Sequence, residues 1–124
     1  MKVFANTDVG LVRQLNEDDY CIAHNANDEW MAIVCDGIGG AKAGEVASHT
    51  AVMTMYEAFM KSPVFEKDRQ VDNWIRENLN QANDFIYSKS LKNFNERGMG
   101  TTAVGVIKAH IGTFTVSYTH LRAH

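Results

Sequence analysis

The pattern of apolar and polar positions in the first third of the chain predicts β-strands. The predicted segments are a strand over residues 2–10, a polar loop over 11–17, a strand over 18–24 and a strand over 30–35. The last of these is apolar at successive positions, which predicts a strand buried on both faces. A cluster of turn-forming residues at 25–28 separates the last two strands. The pattern therefore predicts an antiparallel hairpin that ends at Asp36.

The period then changes to that of α-helices. Residues 43–61 and 69–92 carry apolar stripes at helical spacing, and Pro63 ends the first helix. Strands are predicted again over 101–107 and 111–118. Two long helices between groups of strands do not fit a doubly wound parallel sheet. The order predicts an α+β fold in which antiparallel β-sheets are flanked by α-helices.

The composition and charge of the chain argue against a nucleic-acid-binding or membrane-spanning protein. The 124 residues suit one domain or part of one, and the net charge of −3 gives no basic surface for nucleic acid. No apolar run approaches the ~20 residues that span a bilayer. We therefore expect a cytoplasmic protein with no nucleic-acid or membrane partner. Cys21 and Cys35 both fall in predicted strands, and we interpret them as small buried hydrophobic residues.

The strongest candidate chemistry lies at Asp36, which is followed by three glycines in the next four residues. A carboxylate at the end of a buried strand is costly unless it is paired or binds a cation. The hairpin would bring Asp18, and with it Arg13 and Glu17, to the same end of the sheet. All the candidate ligands are oxygens, which favour Mg2+ or Mn2+ over zinc. The arginine is suited to holding an anionic substrate.

Five separated motifs occur together in this order. They are Thr7-Asp8-Val9-Gly10, Arg13 to Asp18, Asp36-Gly37-Ile38-Gly39-Gly40, Ala43-Gly44-Glu45 and Gly98-Met99-Gly100-Thr101-Thr102. With them the chain resembles bacterial metal-dependent protein serine/threonine phosphatases of the PP2C (PPM) family. The resemblance implies a β-sandwich of two antiparallel sheets with helices outside, of which residues 1–116 would form the N-terminal half.

The resemblance also assigns roles at the site. It implies that Asp36 bridges two Mn2+ or Mg2+ ions and that Gly37 offers its carbonyl oxygen. Asp18 would hold metal-associated water from the outer sphere with Glu17 beside it, and Arg13 would bind phosphate. The implied reaction is hydrolysis of phosphoserine or phosphothreonine in proteins by a water that the two ions activate. Phosphorylated proteins would be the substrates, and a serine/threonine kinase would oppose the enzyme.

The chain departs from the family pattern at three points. Ile38 stands where many eukaryotic members have histidine, which leaves the general acid unassigned. Further acidic metal ligands are expected beyond the end of this chain, so the fragment is expected to be inactive alone. Residues 117–124 do not align with the family and resemble read-through into a sequencing adapter, so we expect this tail to be non-native. A catalytically dead module that binds phosphoproteins stays open as an alternative, as does a non-functional fragment.

Overall fold

A computed structural model describes residues 9–13, 18–92 and 98–122. The elements are β1 (Val9–Arg13), β2 (Asp18–His24), β3 (Trp30–Ile38), α1 (Ala41–Met60), α2 (Asp68–Lys92), β4 (Gly100–Ala109) and β5 (Gly112–Arg122). Among these residues, neither helix is long and apolar enough to cross a membrane.

The five strands form one antiparallel sheet in the order β1-β2-β3-β4-β5. Each strand pairs with its neighbour in sequence, and both helices lie in the connection between β3 and β4. The hairpin of β2 and β3 is therefore confirmed, with Tyr20 opposite Val34 and His24 opposite Trp30. The predicted α+β fold class, in which antiparallel β-sheets are flanked by α-helices, is also confirmed, and the described residues form one such sheet.

Both helices contribute to a single hydrophobic core. α1 packs on β2, β3 and β4, while α2 packs on α1 and β5. The side of α1 that faces this core carries small residues followed by large ones, namely Ala43, Ala47, Ala51, Met55 and Phe59. Trp74 of α2 meets the ring of Phe59 edge-on at 5.8 Å and that of Phe65 at 5.9 Å. These aromatic contacts join the two helices, and Trp74 packs partly buried against the core.

The opposite face of the sheet is open within the described residues. Along β3 the side chains alternate between buried and accessible, and Val34 is 51% exposed. Its cross-strand neighbour Val104 is 54% exposed. The prediction that this strand is buried on both faces is therefore wrong for the structure described, because both helices pack on one side of the sheet.

Several element boundaries also differ from the sequence prediction. β1 reaches Arg13, so the loop predicted over 11–17 is wrong for its first three residues, while residues 14–17 lie outside the described part. β3 continues two residues past Asp36. Most of the strand predicted over 2–10 also lies outside the described residues. β5 runs through the first residues of the predicted tail, with Leu121 buried, and the origin of that tail stays a prediction.

Candidate metal and phosphate site

One end of the sheet collects the residues that the sequence singled out. Asp18 pairs directly with Asp36 across the β2–β3 ladder, as the hairpin predicted. Arg13 is the last residue of β1 and lies opposite Asp19, so its backbone reaches the same end. Glu17 falls outside the described residues. The backbone thus brings together three of the predicted site positions, which lie far apart in sequence.

The backbone of Asp36 is held from β4. Its N–H donates to the hydroxyl oxygen of Thr102 at 3.2 Å. The hydroxyl of Thr101 lies 3.2 Å from the Asp36 carbonyl oxygen and 2.8 Å from that of Thr102, so its one proton is shared between two acceptors. Thr101 also pairs with Gly37 in the β3–β4 register. The carboxylate of Asp36 is exposed, whereas Gly37 is buried. The metal-site candidate is therefore an accessible carboxylate on a fixed backbone.

The glycines after Asp36 allow two distant motifs to meet. Gly39 has φ of +112°, and a Cβ atom built there would lie 2.9 Å from the Cα of Met99 and 3.2 Å from the carbonyl oxygen of Gly98. Only a residue without Cβ permits this approach. Gly40 follows with φ of 88° and ψ of 161° and is the N-cap of α1. Gly98, just before β4, is in a turn with φ of +77°.

An ionisable pair that sequence reasoning missed lies beside this end of the sheet. Asp19 is 2% exposed, and its Oδ2 lies 2.7 Å from Nδ1 of His49 on α1. Asp19 follows Asp18 and faces Cys35, the residue before Asp36. The pair therefore joins α1 to the strand that carries Asp18. Thirty positions separate its members, and neither residue forms a recognisable motif, so the sequence carried no signal for the contact.

The donor types at this end suit a hard divalent cation. A carboxylate and peptide carbonyl groups are oxygen ligands, and such ligands favour Mg2+ or Mn2+. In the part of the chain that is described, no group of three or more His, Cys, Asp or Glu residues is placed to hold a metal ion. The assigned set includes Glu17, which is outside that part, and a backbone carbonyl. What is present is therefore one face of a potential site, built around Asp36.

Comparison with known proteins identifies the family to which the chain is similar. Residues 10–119 match the family model described as protein phosphatase 2C. The chain is 33% identical over 103 residues to the serine/threonine phosphatase stp of Listeria monocytogenes, covering 83% of the chain and 41% of the relative. It is 32% identical over 119 residues to the protein phosphatase PhpP of Streptococcus pneumoniae, covering 90% of the chain and 48% of the relative. The chain thus spans about half the length of these curated relatives.

Solved structures show the corresponding fold. The serine/threonine phosphatase Stp1 from Staphylococcus aureus superimposes with a TM-score of 0.70 at 30% identity, over 89% of this chain and 45% of that one. The S. agalactiae serine/threonine phosphatase gives a TM-score of 0.74 at 22% identity, which supports the fold alone. The family match covers most of the chain and includes the motifs that converge on Asp36. The chain belongs to the protein phosphatase 2C family.

Proposed function

We propose that the whole protein is a metal-dependent phosphatase that hydrolyses phosphoserine and phosphothreonine in proteins. The observation that carries this proposal is the register of Asp18 with Asp36 at a sheet end where a glycine turn meets β4. Its family relatives are named serine/threonine phosphatases, which supports phosphorylated proteins as the substrate class. A serine/threonine kinase would supply those substrates, and the cytoplasm is the proposed compartment.

We assign the metal to oxygen ligands at that end of the sheet. Asp36 and Gly37 would contact the ions, while Asp18 and Glu17 would hold associated water, with Mn2+ or Mg2+ as the metal. Two bound ions would supply an acidified water as nucleophile and neutralise charge on the phosphoryl group. Two observations support the assignment. The side chain of Asp36 is accessible, and both its backbone N–H and its carbonyl oxygen are hydrogen-bonded to threonine hydroxyl groups.

Side chains of the protein would orient the substrate and hold the metal ligand Asp36 in place. Arg13 would hold phosphate oxygens through its fork of N–H donors, which suits a bidentate contact with an anion. Thr101 and Thr102 would keep Asp36 fixed while charge develops, because a preorganised polar site avoids the cost of reorganisation. The remaining acidic ligands would come from sequence outside this chain, so we propose that the 124-residue chain has little or no activity alone.

The proposal is tested by turnover of a phosphothreonine peptide by the full-length protein, with Mn2+ and with a chelator. Asp36→Asn should lower metal-dependent turnover roughly a hundredfold or more, since even groups that only support a ligand affect activity roughly 10-fold to 100-fold. Asp28→Asn is the matched control, because Asp28 is an exposed acid in the turn at the opposite end of β2 and β3. Equal turnover by wild type and Asp36→Asn would reject the assignment of this carboxylate.

A second variant separates the substrate role from the metal role. Arg13→Ala should raise KM for the peptide more than it raises the Mn2+ concentration needed for half-maximal turnover. A larger rise in the Mn2+ requirement than in KM would reject the role of Arg13 in phosphate binding. A folded full-length wild type that binds the phosphopeptide without hydrolysing it under any metal would instead favour a phosphoprotein-binding module.

A further inference from the structure

A groove of about 660 Å3 runs between α1 and α2. Its lining comes from both helices and combines apolar side chains with several cationic ones. Met53 and Phe85 supply the apolar part, and Phe85 is 44% exposed. The volume lies within the roughly 300–1,000 Å3 range of small-ligand pockets, so it suits a short segment rather than a whole domain.

The charge of the groove is opposite to that of the chain. Lys61, Lys89 and Lys92 line it, together with His49, and Glu57 is the acidic residue among its described lining. The three lysines and the one glutamate give the groove an excess of two positive charges, whereas the chain has a net charge of −3. This local excess favours an anionic occupant.

The cationic end of the groove is held in place by specific contacts. Lys89 Nζ donates to Thr50 Oγ1 at 3.0 Å, so the ammonium group is anchored by a neutral hydroxyl. The Thr50 hydroxyl in turn donates to the carbonyl oxygen of Val46 at 2.6 Å. His49, which also lines the groove, is held through Nδ1 by the buried Asp19. The Lys89 ammonium group is thus positioned by a neutral hydroxyl partner.

We propose that the groove between α1 and α2 is a docking site for an acidic peptide segment of a partner protein. Carboxylates of the segment would pair with Lys89 and Lys92, and an apolar side chain would cover Met53 and Phe85. This combination distinguishes the occupant from a simple anion, which would leave the apolar surface exposed. The proposal is independent of the proposed phosphatase reaction, because it uses none of the residues assigned to the metal or phosphate.

Fluorescence anisotropy with the full-length protein tests the proposal. The probe is a short fluorescein-labelled peptide of alternating glutamate and leucine, and the comparison peptide has lysine in place of glutamate. Lys89→Gln combined with Lys92→Gln should raise Kd roughly 2-fold to 30-fold, since each partly exposed ion pair contributes modestly. The matched control is Lys67→Gln combined with Lys108→Gln, which removes the same charge from exposed positions that do not line the groove.

A second pair of variants examines the apolar contact. Phe85→Ser should weaken binding, whereas Leu91→Ser should leave it unchanged, because Leu91 is 67% exposed on the same helix and does not line the groove. Circular dichroism verifies that each variant is folded. Equal Kd values for the groove and control variants would overturn the proposal, as would equal binding of the lysine peptide. Tighter binding of a single-stranded oligonucleotide, or a dimer in sedimentation that Phe85→Ser dissociates, would assign the groove to those occupants instead.

Discussion

Gly39→Ala should destabilise the protein more than Gly40→Ala, although both change adjacent glycines of one motif. Both glycines have positive φ, +112° for Gly39 and +88° for Gly40, so alanine is strained at either position. Only the first has a steric obstacle among the described residues, because its added Cβ would lie 2.9 Å from the Cα of Met99. Nothing described lies within 4 Å of the corresponding Cβ at Gly40. Comparing the two variants therefore separates the cost of backbone strain from the cost of steric overlap.

The expected magnitudes follow from these two contributions. Holding a non-glycine residue in a sparsely populated backbone region costs roughly 1–3 kcal/mol, and this applies to both variants. Overpacking against a backbone that cannot move aside adds about 1–3 kcal/mol for Gly39→Ala. We thus expect a loss of roughly 1–3 kcal/mol for Gly40→Ala and roughly 2–6 kcal/mol for Gly39→Ala. The larger loss is a substantial part of the roughly 5–15 kcal/mol that stabilises a typical domain.

Urea unfolding of the full-length protein, followed by tryptophan fluorescence, measures both variants against wild type. The two should share the wild-type m-value and differ in midpoint, with that of Gly39→Ala the lower. If Gly39→Ala is as stable as Gly40→Ala, the close contact between the Asp36 motif and the start of β4 is wrong. The same result would remove the steric reason for glycine at that position.

Two further predictions concern the buried polar turn and the thiols. Asn25→Ala should lower the free energy of unfolding by roughly 2–4 kcal/mol. The Asn25 amide donates to Phe59 O and Ser62 Oγ, and its oxygen accepts from two backbone N–H groups. Urea unfolding in which Asn25→Ala loses no more stability than the exposed-site control Asn80→Ala would contradict this prediction. Burial raises the pKa of Cys21 to about 12 and that of Cys35 further, so a disulfide reagent at pH 8 should label neither before unfolding. The thiols of the unfolded chain lose their protons at lower pH than the buried thiols, so the free energy of unfolding should fall as pH rises from about 9 towards 12. Rapid labelling of the native protein, or a free energy of unfolding that rises over this pH range, would contradict the burial of the thiols.

Local patterns in the sequence were sufficient to predict the hairpin and the convergence at Asp36. Strand alternation over 18–24, the turn at 25–28 and the apolar run that follows predict an antiparallel hairpin with Asp18 and Asp36 at the same end. The structure places the two residues directly opposite each other. The two helices were also predictable, because their apolar stripes are long and end at clear signals such as Pro63.

Features that depend on tertiary contacts were not predictable in this way. Residues 11–13 resemble a loop locally, yet they form β1 because β2 supplies hydrogen-bond partners. Val34 belongs to an apolar run, but its exposure depends on which face of the sheet the helices cover. Asp19 and His49 meet only after α1 has packed on β2, so no spacing in the sequence predicts their hydrogen bond.

The location of the metal tests the central claim most directly. Substoichiometric Mn2+ added to the 15N-labelled full-length protein broadens amide resonances near the ion. We predict selective broadening at Gly37, Thr101 and Thr102, with Asn27 and Gly112 at the opposite end of the sheet unaffected, and we predict that Asp36→Asn abolishes it. Broadening centred on the opposite end, or unchanged broadening in Asp36→Asn, would contradict the assignment of Asp36 as a metal ligand.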